Sequence, residues 1–219
     1  MTVHTQPVAE APDPRSFGLP VVEDASIPAE LRSLVSRVHD LIDVVANTGA
    51  DRQTLAEAAA VVENLTGRLD VDRRQIGTMV ERTMADGTTE YGTITNIVSG
   101  DTNPVAPPLF LERVPGGLRG EVTLNTVYQG PPGLVHGGWI AALLDQAVGS
   151  ASAVETSPGL TAKLEVNFRR PTPLFTPLEV VGRVDRTDGR KVFVSGEIRA
   201  HGEVTAEASA LMIRVQIPE

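Results

Sequence analysis

Residues 137–148 have the sequence GGWIAALLDQAV, which is apolar on nearly every side except at Asp145. A helix that is apolar all round is usually buried, so we expect this one to be wrapped by a sheet. An unpaired buried carboxylate is costly, so Asp145 must be paired, protonated or turned towards a solvent-lined cleft. The segment therefore predicts a long buried helix, from about Gly137 to Val154, that carries one charged side chain.

Strand-like segments lie on both sides of this helix. A predicted hairpin precedes it at residues 109–128, and four predicted strands follow it. The four strands cover residues 160–169, 178–186, 191–200 and 203–216, and apolar residues alternate with polar ones along the last of them. Two strands, one helix and four strands predict an α+β domain over residues 104–219.

The first half of the chain has a different composition and hydrophobic pattern. We expect residues 1–25 to form a flexible tail, since the opening segment is rich in Pro and Ala. Apolar residues then recur at helical spacing over residues 31–45 and 55–69. Residues 70–103 are weakly patterned, so we interpret residues 26–103 as a helical extension followed by a connector.

The composition excludes several classes of protein. The chain has 19 basic and 28 acidic residues, a net charge of −9, and residues 1–90 contribute −7 of it from 8 basic and 15 acidic side chains. An acidic chain without a basic run is a poor partner for nucleic acid, because phosphate contacts dominate such binding. The chain has no cysteine, which excludes disulfides, thiolate metal sites and a Cys nucleophile.

Hydrophobic and charge patterns also indicate the cellular compartment. No apolar stretch approaches the roughly 20 residues that cross a bilayer, so we expect no membrane span. The first twenty residues lack the charged start and apolar run of a signal peptide. The sequence therefore predicts a cytoplasmic protein.

The predicted helix has two features that favour a ligand or reaction site. Gly138, Ala141, Ala142 and Asp145 share one face, which consists of very small side chains plus one acid. Gly137 and Gly138 leave the first backbone N–H groups uncovered at the positive end of the helix dipole, where an oxyanion is stabilised. The alternative is a helix-packing face with a structurally paired Asp and glycines that only permit tight packing.

Helix geometry separates these two features in space. The eight residues from Gly137 to Asp145 span roughly 12 Å along the axis, at about 1.5 Å per residue. The lean of the Asp side chain towards the N-terminus recovers only a small part of this distance. One chain's Asp145 therefore does not reach a carbonyl held at its own Gly137, which predicts a homodimer whose antiparallel helices share two active sites.

The helix and its surroundings resemble a known family. The motif GLVHGG at residues 133–138, followed by Asp145 nine positions after His136, resembles the signature of hotdog-fold thioesterases of the phenylacetate-pathway (PaaI-like) type. Residues 129–133, QGPPG, resemble the mammalian acyl-CoA thioesterase branch, and residues 166–171, VNFRRP, resemble the family's strand after the helix. The resemblance covers about residues 104–219. It implies a hotdog fold, a long central helix wrapped by an antiparallel sheet, here with an N-terminal helical extension.

The resemblance also implies roles for single residues. The N–H group of Gly137 polarises the thioester carbonyl, and Asp145 acts as general base towards water or as nucleophile. Thr161, sixteen positions after the acid, orients the water or the carboxylate. Gln129 is the nearest match to an amide that assists at the carbonyl. The family site lies at a dimer interface, and assembly of such dimers into a homotetramer is left open.

The remaining candidates follow from chemistry. Thioester hydrolysis needs activated water, oxyanion donors and a pocket that excludes water, but no metal or other cofactor. His136 is a catalytic base or, as we favour, a residue that orients the turn. The chain's histidines at positions 4, 39, 136 and 201 have no metal-ligand spacing. Trp139 lines the acyl pocket or packs in the core. Arg169 and Arg170 are the first choice for the phosphates of coenzyme A, because Arg matches phosphate geometry.

The sequence thus predicts hydrolysis of acyl-CoA thioesters to free carboxylic acid and coenzyme A. The alternative is a non-catalytic acyl-CoA-binding or regulatory hotdog protein. An enoyl-CoA hydratase is disfavoured, since no Asp and His at a short helical interval supply its acid and base. The preferred acyl chain and the role of the extension stay open.

Overall fold

The computed structural model describes residues 12–84, 87–156 and 158–214, and these residues form three α-helices and nine strands. The helices are α1 (Ala29–Asn47), α2 (Arg52–Leu69) and α3 (Gly137–Glu155). The strands are β1 (Val21–Glu23), β2 (Met79–Thr83), β3 (Thr89–Thr93), β4 (Glu112–Val114), β5 (Gly117–Thr123), β6 (Gly159–Phe168), β7 (Pro177–Asp188), β8 (Lys191–Ala200) and β9 (Glu203–Arg214).

The C-terminal domain is a six-stranded antiparallel sheet wrapped around α3. Its strands lie in the order β4-β5-β7-β8-β9-β6, and each pairs antiparallel with its neighbours. The prediction of an α+β hotdog fold is therefore confirmed. The predicted helix and the strands after it agree with the observed ones to within about two residues, and the last two residues of the predicted final strand lie outside the described residues.

The core lies between α3 and the concave face of the sheet. Leu143, Leu144, Ala147, Val148 and Ala151 of α3 are fully buried. The helix comes unusually close to β7, because a Cβ atom added at Gly182 would lie 2.3 Å from the carbonyl oxygen of Ala147. Only glycine fits at this crossing, so the packing of α3 fixes the identity of a residue in the sheet.

The N-terminal extension contains more structure than its sequence indicates. The interpretation of residues 70–103 as a connector is wrong in one respect, because β2 and β3 form an antiparallel pair there. The expected flexible tail also contributes β1, which pairs in parallel with β2, whereas residues 1–11 of that tail lie outside the described residues. These strands are short and pair between distant parts of the chain, so local periodicity gives little sign of them.

Charged side chains hold the extension together. Arg32 of α1 contacts Asp24 at 3.0 Å and Asp101 at 2.7 Å, and Arg82 of β2 contacts Asp24 at 2.8 Å. The four side chains are each about one third exposed. A partly buried network of this kind stabilises more than an isolated exposed ion pair does.

The two helices of the extension differ in their contacts. At the C-terminal end of α1, the carboxylate of Asp43 accepts a 2.5 Å hydrogen bond from the Thr126 hydroxyl, and His39 Nδ1 lies 3.0 Å from the carbonyl oxygen of Pro104. These contacts join α1 to the domain around α3. By contrast, α2 has no buried residue, and its apolar residues Leu55 and Leu69 are about half exposed.

The contact at Gly182 yields the first prediction. Gly182→Ala should lower the free energy of unfolding by about 3 kcal/mol or more, because the added Cβ collides with backbone that cannot move away. Denaturant unfolding followed by circular dichroism measures this loss. Gly67→Ala is the matched control: Gly67 lies in α2 with open space around it, so Ala should stabilise by up to about 1 kcal/mol. Equal stability of Gly182→Ala and the wild type would contradict the close packing.

Candidate active site

The segment between β5 and α3 is a hydrogen-bonded turn that aims the start of α3. The carbonyl oxygen of buried Tyr128 accepts the N–H of His136 at 2.8 Å, and the Tyr128 hydroxyl donates to the carbonyl of Val105 at 3.0 Å. Burial raises the pKa of Tyr128, which keeps the hydroxyl a donor. The N–H of Val135 donates to Thr172 at 2.9 Å, so the turn is also tied to the loop before β7.

His136 caps α3. Its Nδ1 atom accepts the N–H of Gly138 at 2.9 Å, which places the proton of the neutral imidazole on Nε2. The expectation that both glycine N–H groups are uncovered is therefore wrong for Gly138. The ring itself is exposed, so Nε2 faces outward.

Gly137 keeps an open N–H group. Among the described residues no acceptor contacts it, and it lies at the positive end of the α3 dipole. The aromatic ring of Phe168, at the end of β6, lies against this glycine: a Cβ atom added at Gly137 would be 3.5 Å from two ring atoms. The structure thus adds Phe168 to the site. Its sequence signal was an aromatic residue beside two arginines in a chain with only 4% aromatics.

Asp145 and Thr161 form the polar centre of the site. The Thr161 hydroxyl donates a 3.0 Å hydrogen bond to Oδ1 of Asp145, and Asp145 is half-buried on the flank of α3. No donor within the described part of the chain contacts Oδ2. The carboxylate is therefore held by one hydrogen bond, with its second oxygen available to a water molecule or a substrate.

A bulge in β6 turns Thr161 towards the helix. Phe168, Val166 and Leu164 face α3 in alternation, which would place Thr161 on the opposite face. The register shifts between Thr161 and Lys163, so Thr161 comes to lie opposite buried Met212 of β9, on the concave side of the sheet. One inserted residue thereby brings the hydroxyl to Asp145.

Gln129 lies at the start of the same turn. Its Oε1 atom accepts the N–H of Gly133 at 3.1 Å, and the side chain is exposed. The bond fixes the orientation of the amide, so its NH₂ group is the end that can donate to another group. Gln129 thus lies in the turn that leads to Gly137, with its NH₂ group as the end that can donate.

The other predicted residues have partners of their own. Trp139 packs against the main core and meets the Tyr128 ring edge-on, with the ring centroids 4.8 Å apart. Arg169 pairs with Glu207, which raises the pKa of its guanidinium, and Arg170 pairs with Glu203 at 3.0 Å. All four of these charged side chains are more than 40% exposed, so the pairs are weak and can exchange partners.

Two further observations concern the described residues. They contain no group of three or more His, Cys, Asp or Glu side chains arranged to hold a metal ion. No helix among them is long and apolar enough to span a membrane.

The cap of α3 yields a prediction about His136. His136→Ala should lower the free energy of unfolding by about 1 kcal/mol, because the N–H of Gly138 loses its acceptor. His136→Asn should retain the stability of the wild type, since Asn is a strong capping residue. Thermal unfolding of the three proteins measures the difference, and equal losses in both variants would show that capping is not the role of this side chain.

Comparisons with known proteins agree with the fold. The thioesterase superfamily model matches residues 132–207. A crystal structure of a thioesterase superfamily protein superimposes with a TM-score of 0.74 at 33% identity, covering 88% of this chain and 98% of that one. Because residues 104–219 make up little more than half of this chain, that match extends into the N-terminal extension.

Curated relatives match a shorter region. The acyl-coenzyme A thioesterases THEM4 of Xenopus laevis and Bos taurus are 37% and 39% identical over 89 residues, which is 40% of this chain and 40% and 36% of theirs. The chain thus matches less than half of the length of these relatives. The solved structure is similar over nearly its entire length, and the chain belongs to the thioesterase superfamily.

Proposed function

We propose that this protein hydrolyses acyl-CoA thioesters to free carboxylic acids and coenzyme A. The observation that carries the proposal is the hydrogen bond between Thr161 and Asp145, which holds a lone carboxylate in the middle of an otherwise apolar helix. A purely structural acid would be expected to have both oxygens occupied. The THEM4 relatives, named acyl-coenzyme A thioesterases, support the same reaction.

The reaction needs an activated attacking group. In the proposed mechanism, Asp145 takes a proton from water as the water oxygen attacks the thioester carbonyl, or the carboxylate attacks the carbonyl itself. In the first case the tetrahedral intermediate collapses, the C–S bond breaks, and the sulfur of coenzyme A leaves with the proton that Asp145 took from the water. In the second case the C–S bond breaks to leave a mixed anhydride between Asp145 and the acyl group, coenzyme A leaves as the thiolate, and water hydrolyses the anhydride to release the carboxylic acid and restore Asp145. Thr161 holds the carboxylate in the attacking orientation.

The carbonyl oxygen needs donors while it carries negative charge. The open N–H of Gly137 is the first, supported by the α3 dipole, and the amide NH₂ of Gln129 is the second. The N–H of Gly138 donates to His136 and therefore does not bind the carbonyl oxygen in this mechanism. The ring of Phe168 lies against Gly137 and covers part of its surroundings with apolar surface, which strengthens a hydrogen bond at this point.

The active unit is proposed to be a homodimer. The roughly 12 Å between Gly137 and Asp145 along one helix requires the acid from a second chain. The edge strand β6 supports this assembly, since within the described residues it pairs only with β9, and it exposes Leu160 by 70% and Phe168 by 58%. An exposed apolar sheet edge favours pairing with another strand. Assembly into a tetramer and a cytoplasmic location stay predictions.

Arg169 and Arg170 are proposed to bind the phosphates of coenzyme A. Both follow Phe168 directly and are thus close in sequence to the ring that contacts Gly137. Their present partners, Glu207 and Glu203, form exposed pairs that a phosphate can replace at small cost.

Replacement of Asp145 tests the reaction. Asp145→Asn should lower kcat at least about 100-fold while leaving acyl-CoA binding in place, because the amide cannot accept the proton. Release of free thiol from short, long and aryl acyl-CoAs measures turnover, and calorimetry with a non-hydrolysable acyl-CoA analogue measures binding. Glu155→Gln is the control, since it removes the same charge at the exposed end of α3 and should leave kcat unchanged. Equally poor hydrolysis of the whole panel by wild type and Asp145→Asn, with intact binding, would favour the non-catalytic alternative.

Replacement of Gly137 tests the donor and the shared site. Gly137 is the first residue of α3 and follows a residue with extended backbone, so proline fits there and removes only the N–H. Gly137→Pro should lower kcat about 100-fold, while Gly137→Ala, which keeps the N–H, should retain most activity.

Mixing the two inactive variants tests the dimer. If Asp145→Asn and Gly137→Pro chains are unfolded together and refolded, each mixed dimer has one site with both groups intact. Random assembly should restore about one quarter of the wild-type activity. No recovery, with mixed dimers demonstrated by mass spectrometry, would show that each chain carries its own complete site.

A further inference from the structure

The loop between β6 and β7 holds an aromatic ring out into solvent. Phe175 has a φ of 55°, in the left-handed region that bulky residues rarely occupy, and its side chain is 64% exposed. The ring therefore does not pack in the core, and the backbone that carries it is strained. Strain of this kind persists only where the surrounding structure enforces it, and it concentrates at ligand sites.

Backbone hydrogen bonds fasten this loop to the turn of the proposed active site. The N–H of Phe175 donates to Leu124 at 2.8 Å, and the N–H of buried Leu174 donates to Gly133 at 3.1 Å. Pro171, Pro173 and Pro177 restrict the loop further. The backbone that carries the ring is thus held close to the segment that leads from Gly133 to Gly137.

The path of the chain limits how far the Phe175 ring lies from the reacting centre. Gly133 lies at most about 14 Å from Gly137 along the chain, and Phe175 follows the residue bonded to Gly133. Phe168, at the other end of the same loop, contacts Gly137 itself. In sequence, Arg169 and Arg170 lie between the two phenylalanines, and their guanidinium groups are exposed.

We propose that Phe175 is a stacking platform for the adenine of coenzyme A. This inference rests on the proposed function and names the residue that recognises the nucleotide end of its substrate. A thioester held at Gly137 extends its pantetheine arm along the loop, its phosphates meet the two arginines, and its base lies on the Phe175 ring. An aromatic face binds a base by stacking without reading its identity, so one rigid exposed ring is sufficient.

Because the backbone at Phe175 is strained, one variant can weaken coenzyme A binding without lowering the stability of the fold. Phe175→Gly removes the ring and relaxes the backbone, so the thermal midpoint should stay the same or rise. The Kd for coenzyme A, measured by calorimetry, should nevertheless increase about tenfold, since one base loses its stacking partner. The Kd for pantetheine, which lacks the nucleotide, should not change.

Two further variants separate the ring from the strain. Phe175→Leu keeps an apolar side chain and the strained backbone but has no aromatic face, so it should weaken coenzyme A binding as Phe175→Gly does. Phe175→Trp should bind coenzyme A at least as tightly as the wild type. For hydrolysis of an acyl-CoA, the Gly and Leu variants should raise KM about tenfold and leave kcat unchanged.

The outcomes distinguish this inference from the proposed function. An unchanged Kd for coenzyme A in Phe175→Gly, or an equal loss for pantetheine, would overturn the stacking role even if the protein hydrolyses acyl-CoAs. A change in sedimentation of Phe175→Gly without a change in Kd would assign the ring to a protein interface and overturn it as well. Ring-dependent binding of coenzyme A in a protein that hydrolyses no thioester would support the platform and reject the hydrolase.

Discussion

The structure depends on the burial of α3 in the concave face of its sheet. The helix is apolar on nearly all sides, and the backbone of β7 meets it at Gly182 without room for a side chain. This close packing curves the sheet around the helix and determines which residues of β6 pass along its flank. The geometry of the candidate site is a consequence, since its groups lie at the start and on the flank of this one helix.

The carboxylate of Asp145 is the exception that this burial must accommodate. A charge in an apolar helix needs a partner or access to water. Asp145 has both, because Oδ1 is hydrogen-bonded to Thr161 and the residue is half-buried at the flank of the helix. The bulge in β6 supplies that partner, because without the register shift the Thr161 side chain would face away from α3. A structural irregularity of one residue thus completes the polar centre.

The N-terminal extension is joined to the turn of the site rather than attached at a distance. Asp43 bonds to Thr126, and the ring of His39 lies 6.1 Å from that of Tyr128, whose carbonyl oxygen binds His136. A displacement of α1 would therefore be transmitted through Thr126 and Tyr128 to His136, the cap of α3. Part of the acidic charge of the first ninety residues takes part in this arrangement, since Asp24 pairs with both Arg32 and Arg82.

The sequence by itself determined the long central helix, the strands that follow it and most of the residues proposed for the candidate site. Hydrophobic periodicity is a local property, and the motif around His136 lies in one continuous segment. Only the tertiary structure decided that β1 joins β2 and that the Phe168 ring lies against Gly137. Each of these depends on contacts between distant segments or on a one-residue change of register, and neither leaves a periodic pattern in the chain. The position of the Thr161 side chain has the same origin. Without the register shift in β6, strict alternation from Phe168 would place that side chain on the face of the sheet that points away from α3.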